Sequence, residues 1–213
     1  MLDEGSMADE RSIANPVTGE VWTAMVRSQD SGGAHIKGRG LLPPGTRPPG
    51  VHRHPHQDER VTVVRGRVCV QVDKEVREYG AGESVFLPRG VWHDFWVVGD
   101  DAAETIGEAE PALGLEMILV TLAGLAQEGK TDKKGRPRPL QGAVIGTFYG
   151  EVAQFRTPPP SVQRLLLPPL AALGRRLGLR PYYDRHFQPG EVDAILDAWA
   201  ANRPWAGNRR PTV

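Results

Sequence analysis

Gly50-Val51-His52-Arg53-His54-Pro55-His56-Gln57-Asp58-Glu59 places three of the chain's six histidines within five positions. On an extended strand, residues two apart point to the same face, so His52 and His54 can present two imidazoles to one point. His54 and His56 form a second such pair, although Pro55 between them disfavours a continuing strand. Glu59 opens the next extended run after a short loop, and its carboxylate can fold back toward the imidazoles. Downstream, Gly82-Glu83-Ser84-Val85-Phe86-Leu87-Pro88-Arg89-Gly90-Val91-Trp92-His93 ends in another histidine on a strand-like segment. If that strand lies beside the first, four metal-ligating side chains converge.

Outward from this stretch, about Val21 to Ala109 reads as short β segments punctuated by Gly, Pro and Asp, the pattern of an antiparallel sandwich or barrel. The expected segments are roughly 21–26, 35–41, 51–54, 60–65, 67–72, 75–79, 84–87, 91–98 and 104–109. Arg65-Gly66-Arg67 and Asp73-Lys74 are both short enough to close hairpins, which makes the middle of the chain a meander. After Pro111 the alternation stops. Leu113–Gln127 and Leu140–Phe155 suit helices, and Pro189–Ala201 a last one. Ser161–Leu177 should be a helix kinked or split at Pro168-Pro169. The two prolines spoil a continuous apolar face for lying on a membrane. Its Leu165, Leu166, Leu167, Leu170 and Leu173 are therefore expected against the barrel or a second subunit. The organisation is an N-terminal arm over 1–20, a barrel over 21–111 and a helical extension over 112–213. Gly5-Ser6-Met7 has the look of a vector-derived scar, so residues 1–7 are left out of this reading.

His52-x-His54-(four residues)-Glu59-(six residues)-Gly66 resembles the first cupin motif, and Gly82-(five residues)-Pro88-x-Gly90-(two residues)-His93 the second. The resemblance covers about residues 45–98. It departs from the family pattern at Val97, where an asparagine is frequent, and at Gly45, one position early for the leading glycine. It implies a mainly β fold, the double-stranded β-helix or jelly-roll barrel, here with an α-helical C-terminal extension. It also implies one divalent transition metal held inside by His52, His54, Glu59 and His93, and favours the His52/His54 register over His54/His56. Three imidazoles and a carboxylate suit Fe first, with Mn, Ni, Zn or Cu as alternatives, and a six-coordinate ion would keep about two open positions. Alternation around His93 puts Phe95 and Val97 on its face, so the pocket beside the ion should be fairly apolar. Gln57, Arg60, Gln71 and Glu108 are the polar candidates for its lining. His35 and His186 have no partners in sequence and read as ordinary histidines.

Composition narrows the class of function. Acidic and basic residues balance at 26 each with a pI near 7, which supplies no broad basic field for nucleic acid. No run of about 18 apolar residues offers a membrane span. The acidic N-terminus lacks the features of a signal peptide, and Cys69, the single cysteine, can form no intrachain disulfide. A cytoplasmic homodimer acting on a small molecule is expected, and Arg outnumbering Lys 21 to 5 suggests a GC-rich bacterial gene. Two function classes fit. One is a metal-dependent enzyme of secondary metabolism, either a mononuclear non-haem oxygenase or a metal-assisted isomerase or cyclase. The other is a non-catalytic binding or sensing module.

Overall fold

The computed structural model describes residues 12–47 and 50–212; the reading made above for residues 1–7 lies outside them. Eleven strands are named: β1 (Ser12–Ala14), β2 (Val21–Val26), β3 (Ile36–Leu42), β4 (His52–Arg53), β5 (Asp58–Arg65), β6 (Arg67–Val72), β7 (Glu75–Gly80), β8 (Ser84–Leu87), β9 (His93–Val97), β10 (Ala103–Glu110) and β11 (Gln154–Phe155). The helices are α1 (Leu115–Gln127), α2 (Pro139–Phe148), α3 (Pro160–Arg176) and α4 (Glu191–Ala201). One sheet runs β1-β2-β3-β10-β5-β8 and the other β11-β4-β9-β6-β7. Every pairing is antiparallel.

The two sheets face each other across a core that period-two alternation builds. Val61 and Val63 of β5, Val68 and Val70 of β6, and Val85 and Leu87 of β8 all point inward, buried. β-branched side chains fit this pleated surface. At the end near β2, the indole of Trp22 covers Gly38, where any Cβ would lie 2.2 Å from the ring.

The Asp73-Lys74 hairpin forms as read: Val72 pairs with Glu75, and Asp73 takes φ 53°. Gly66 does something else. The strands on either side of it belong to different sheets, so Arg65-Gly66-Arg67 is a crossover between layers and the expected meander gives way to a jelly roll. A loop of one residue cannot reverse the chain into a ladder. Here Gly66, at φ 78° with its Cβ site 2.8 Å from the Ala102 carbonyl, turns the chain over the barrel edge.

Two further differences concern elements held by distant partners. The second helix ends at Phe148 instead of Phe155, because Gln154 and Phe155 are captured as β11 on the free edge of β4, opposite Arg53 and His52. The first residues described, Ser12–Ala14, are likewise not a free arm but pair with β2.

The helices pack as a lobe around Trp199, which is fully buried with Tyr149, Leu125, Met117 and Ile195. α3 is one uninterrupted helix through Pro168 and Pro169. Arg164 and Leu165, whose carbonyls those prolines leave without partners, are exposed, so water can serve them. α3 packs chiefly on α2, and of its expected apolar contacts only Leu167 joins a core, beside Ala143, Val144 and Ala171. Leu165, Leu166, Leu170 and Leu173 remain exposed rather than covering the barrel.

Candidate metal centre

β4 and β9 pair at one register position, and that position sets His52 directly opposite His93. His54 follows two residues after His52, and Glu59 enters from the first inward position of β5. One donor atom from each of the four lies within 4.8 Å of all the others. The three histidines are buried. His93 Nε2 lies 3.2 Å from His52 Nε2 and 3.2 Å from Glu59 Oε2, and His54 Nε2 lies 3.5 Å from the same oxygen.

The other side of each ring decides which nitrogen is free. Nδ1 of His52 donates to the Gly50 carbonyl at 2.8 Å, Nδ1 of His93 to the Val91 carbonyl at 3.0 Å, and Nδ1 of His54 to the Val152 carbonyl at 2.7 Å. A carbonyl can only accept, so each Nδ1 carries the proton and each Nε2 turns a lone pair inward. Two such lone pairs 3.2 Å apart, beside a carboxylate oxygen that is buried without a hydrogen-bond partner, form an arrangement that a cation would complete. The spacings also fit. Donors each about 2.1 Å from one ion sit about 3 Å apart when cis and about 4 Å when trans.

The electrostatics run the same way. Burial, together with the neighbouring His93 and His54 rings, lowers the His52 pKa to about 3, which keeps it neutral and ligand-ready. Burial alone would raise Glu59, but the adjacent His93 and the other two imidazoles outweigh it and hold the carboxyl at about 2. Burial of His93 works against its charged form, but the adjacent Glu59 carboxylate outweighs it and raises the His93 pKa, so the site presents an anion beside a neutral His52, and a divalent ion would take the place of any proton shared by His93 and Glu59.

The remaining sequence candidates divide by face. Phe95 and Val97 follow His93 on the inward side of β9, opposite Val70 and Val68, and both join the barrel core. Arg60, Gln71 and Glu108 point outward, a correction to their reading as pocket residues. Arg60 is exposed with its guanidinium over Phe86, Gln71 bonds the Asp73 carbonyl, and Glu108 pairs with Lys37. Alternation explains all three, since each lies one residue from an inward position. Gln57 is fully buried, but its amide donates to the carbonyls of Pro111 and Ala112, tying the loop after His54 to the start of the helical lobe. His56 stacks on Trp205 with centroids 4.2 Å apart, His186 packs against Gly124 and Glu128, and His35 is exposed. Sequence reasoning missed Val152, whose carbonyl orients His54, and Phe155, whose ring lies 6.2 Å from that of His52. Neither carried a signal, because a backbone carbonyl has no sequence signature and both lie about 100 residues from the motif.

Residues 38–106, from β3 into β10, match the family model of the cupin domain. This part of the chain is a cupin domain by that match, which does not extend to the helices after β10. Its structure is similar to the cupin domain of Cnp3 from Schizosaccharomyces pombe, at 16% identity over 46% of this chain and 63% of that one, TM-score 0.39. It is similar to an RmlC-like cupin from Shewanella frigidimarina, at 20% identity over 52% of this chain and 93% of that one, TM-score 0.42. It is also similar to a cupin-superfamily sugar phosphate isomerase from Silicibacter pomeroyi, at 24% identity over 45% of this chain and 62% of that one, TM-score 0.39. The match spans less than two thirds of the Cnp3 and isomerase chains. No curated protein matches the sequence.

Proposed function

We propose that this chain is a metal-dependent cupin enzyme acting on a small organic molecule, with His52, His54, Glu59 and His93 holding one divalent transition metal, iron first. The observation that carries the reading is the common setting of the three rings: each Nδ1 is fixed by a carbonyl, so three Nε2 lone pairs and one carboxylate oxygen meet inside a barrel. A bound ion would supply Lewis-acid polarisation or, as iron, one-electron chemistry with O₂. The chain's residues supply the rest. Glu59 is the single anionic donor and sets the net charge of the site. Val72, opposite His93 on β6, and Phe95, two residues further along β9, set apolar side chains beside it, where a lower local dielectric would strengthen electrostatic interactions. The inward positions of β6, β8 and β9 carry no ionisable side chain besides His93, so no separate general acid or base flanks the donors there. That supports chemistry centred on the ion, either a mononuclear oxygenase or a redox-neutral isomerase or cyclase.

The same absence favours a second reading, a small-molecule sensor that captures its ligand by shape. For the assembly we propose a cytoplasmic homodimer pairing through the outer face of the six-stranded sheet, where Leu41, Val64 and Phe86 are 40%, 40% and 51% exposed.

Elemental analysis of the isolated protein, followed by O₂ uptake with the iron form, tests the enzyme reading. Glu59→Gln keeps the shape but makes the centre one unit more positive, so turnover should fall by orders of magnitude at matched metal content. No turnover with any first-row metal, beside equal ligand affinity in both proteins, would establish the sensor instead.

A further inference from the structure

Pro55-His56-Gln57-Asp58 joins the donors His54 and Glu59, and both keep their places only if this loop does. Most of it is tied by hydrogen bonds. The Gly90 amide donates to the His54 carbonyl at 2.8 Å, the Gln57 side chain holds the carbonyls of Pro111 and Ala112, and the Asp58 carboxylate accepts from the backbone and guanidinium of Arg89. The side chain of His56 makes no hydrogen bond among the described residues. Its ring lies nearly flat on the indole of Trp205, with centroids 4.2 Å and planes 21° apart, and Trp205 belongs to a short turn, Pro204–Ala206, near the C-terminus.

That turn is itself fastened beside the donors. Nε and Nη2 of the buried Arg203 donate to the two carboxylate oxygens of Glu151 at 2.6 and 2.7 Å, while Nη1 donates to the Arg209 carbonyl at 2.6 Å and folds the tail back. Burial works against the Glu151 charge, but Arg203 outweighs it, and the Trp205 and His56 side chains favour the charge as well. The next residue is Val152, whose carbonyl accepts from Nδ1 of His54. The contacts close a ring: from His54 to Val152, through Glu151 and Arg203 to Trp205, and through His56 back to His54. The donor segment is thus gripped twice, at the His54 imidazole and two residues further on. Turning His54 away from the other donors would break the first grip and strain the second.

We propose that residues 203–209 form a clasp that positions His54 for the ion, with Arg203 and Trp205 as positioning residues. The inference rests on the metal reading of the four donors and assigns the C-terminal tail to that centre. No ring contact or hydrogen bond joins Trp205 to a donor among the described residues, so it acts through His56. Trp205 is 45% exposed, and removing its ring opens no core cavity, which keeps a loss of affinity separable from a loss of fold.

The test is calorimetric titration of the full-length protein with Co²⁺, comparing wild type with Trp205→Ala, Trp205→Phe, His56→Ala and the Trp205→Ala/His56→Ala double variant, beside the melting temperature of each metal-free protein. Loss of an aromatic pair of this kind should lower the affinity of Trp205→Ala by about three- to tenfold. Trp205→Phe keeps a stacking ring and should recover most of the loss. The double variant should be no weaker than either single one, because the same contact is removed only once. Unchanged affinity in Trp205→Ala, or losses that add in the double variant, would overturn the clasp. If wild type takes up no Co²⁺, Zn²⁺ or Fe²⁺, the metal reading fails, and the clasp is judged on the metal-free protein. There the Nδ1 proton of His54, followed by magnetic resonance of nitrogen-15-labelled protein, should exchange with water about three- to tenfold faster in Trp205→Ala than in wild type. Equal exchange in the two proteins would overturn the clasp by itself.

Discussion

Trp199→Ala should weaken both the fold and the affinity of the centre for metal, although Trp199 belongs to the helical lobe. Its indole is fully buried, stacked on Tyr149 at 5.8 Å with a 7° interplanar angle and edge-on to Phe148 at 5.6 Å. Loss of a tryptophan of this kind costs about 3–5 kcal/mol, transfer and cavity together. At about 2–4 °C per kcal/mol for a chain of this size, the melting temperature should drop by roughly 6–20 °C. The second effect follows a chain of contacts. Trp199 holds Tyr149, the Val152 amide donates to the Tyr149 carbonyl at 2.8 Å, and the Val152 carbonyl holds His54. Loosening an outer partner of a ligating histidine costs about 10- to 100-fold in metal affinity. Calorimetric titration with Zn²⁺ or Co²⁺, well below the variant's melting point, measures that affinity, and thermal unfolding the stability. A destabilised variant that binds metal as tightly as wild type would refute the idea that the helical lobe orients His54.

Three further outcomes are expected. Adding a metal at a hundred times its Kd should stabilise the protein by about 2.7 kcal/mol, raising the melting temperature by roughly 5–11 °C, and a chelator should reverse this; scanning calorimetry of stripped and loaded protein checks it. Arg60→Ala, Gln71→Ala and Glu108→Ala, all outward-facing, should leave metal affinity within about twofold of wild type in the same titration, whereas Phe95→Ala should change ligand or substrate binding. Burial raises the Glu151 carboxyl, but the Arg203 guanidinium outweighs it and holds the group below its usual value of 4.5. The stabilisation from that pair is thus present above pH 4.5 and lost as pH falls through the lower folded value. Glu151→Gln should cost about 1 kcal/mol at pH 7 and progressively less below pH 4.5, read from paired urea melts.

The donor set and the barrel were legible because both rest on local periodicity. His52 and His54 share a face by strand alternation, and Phe95 and Val97 follow His93 inward for the same reason. Arg60, Gln71 and Glu108 were misread because a charged residue was sought for the pocket where the pleat had already turned it outward. The crossover at Gly66, the early end of α2 and the capture of Gln154 and Phe155 were not legible. Each depends on which strand lies alongside in space, and helix propensity in 149–155 is overridden by an unpaired edge on β4. For α3 the sequence left a kinked and a split helix both open, and only the split is removed by the continuous Pro160–Arg176. A double proline breaks a helix when its freed carbonyls are buried, and no local pattern shows that these face water.

The bond from His54 to Val152 spans 98 residues, and that separation has a temporal meaning. At synthesis rates of about 5–20 residues per second, roughly 5–20 seconds pass between the emergence of His54 and that of the carbonyl that holds it. The strand that closes the edge of β4 arrives just after. A nascent barrel would thus expose His52 and His93 already set by their own neighbours, with His54 still free to rotate. An ion that needs the full donor set would therefore wait until Val152 and β11 have emerged and docked.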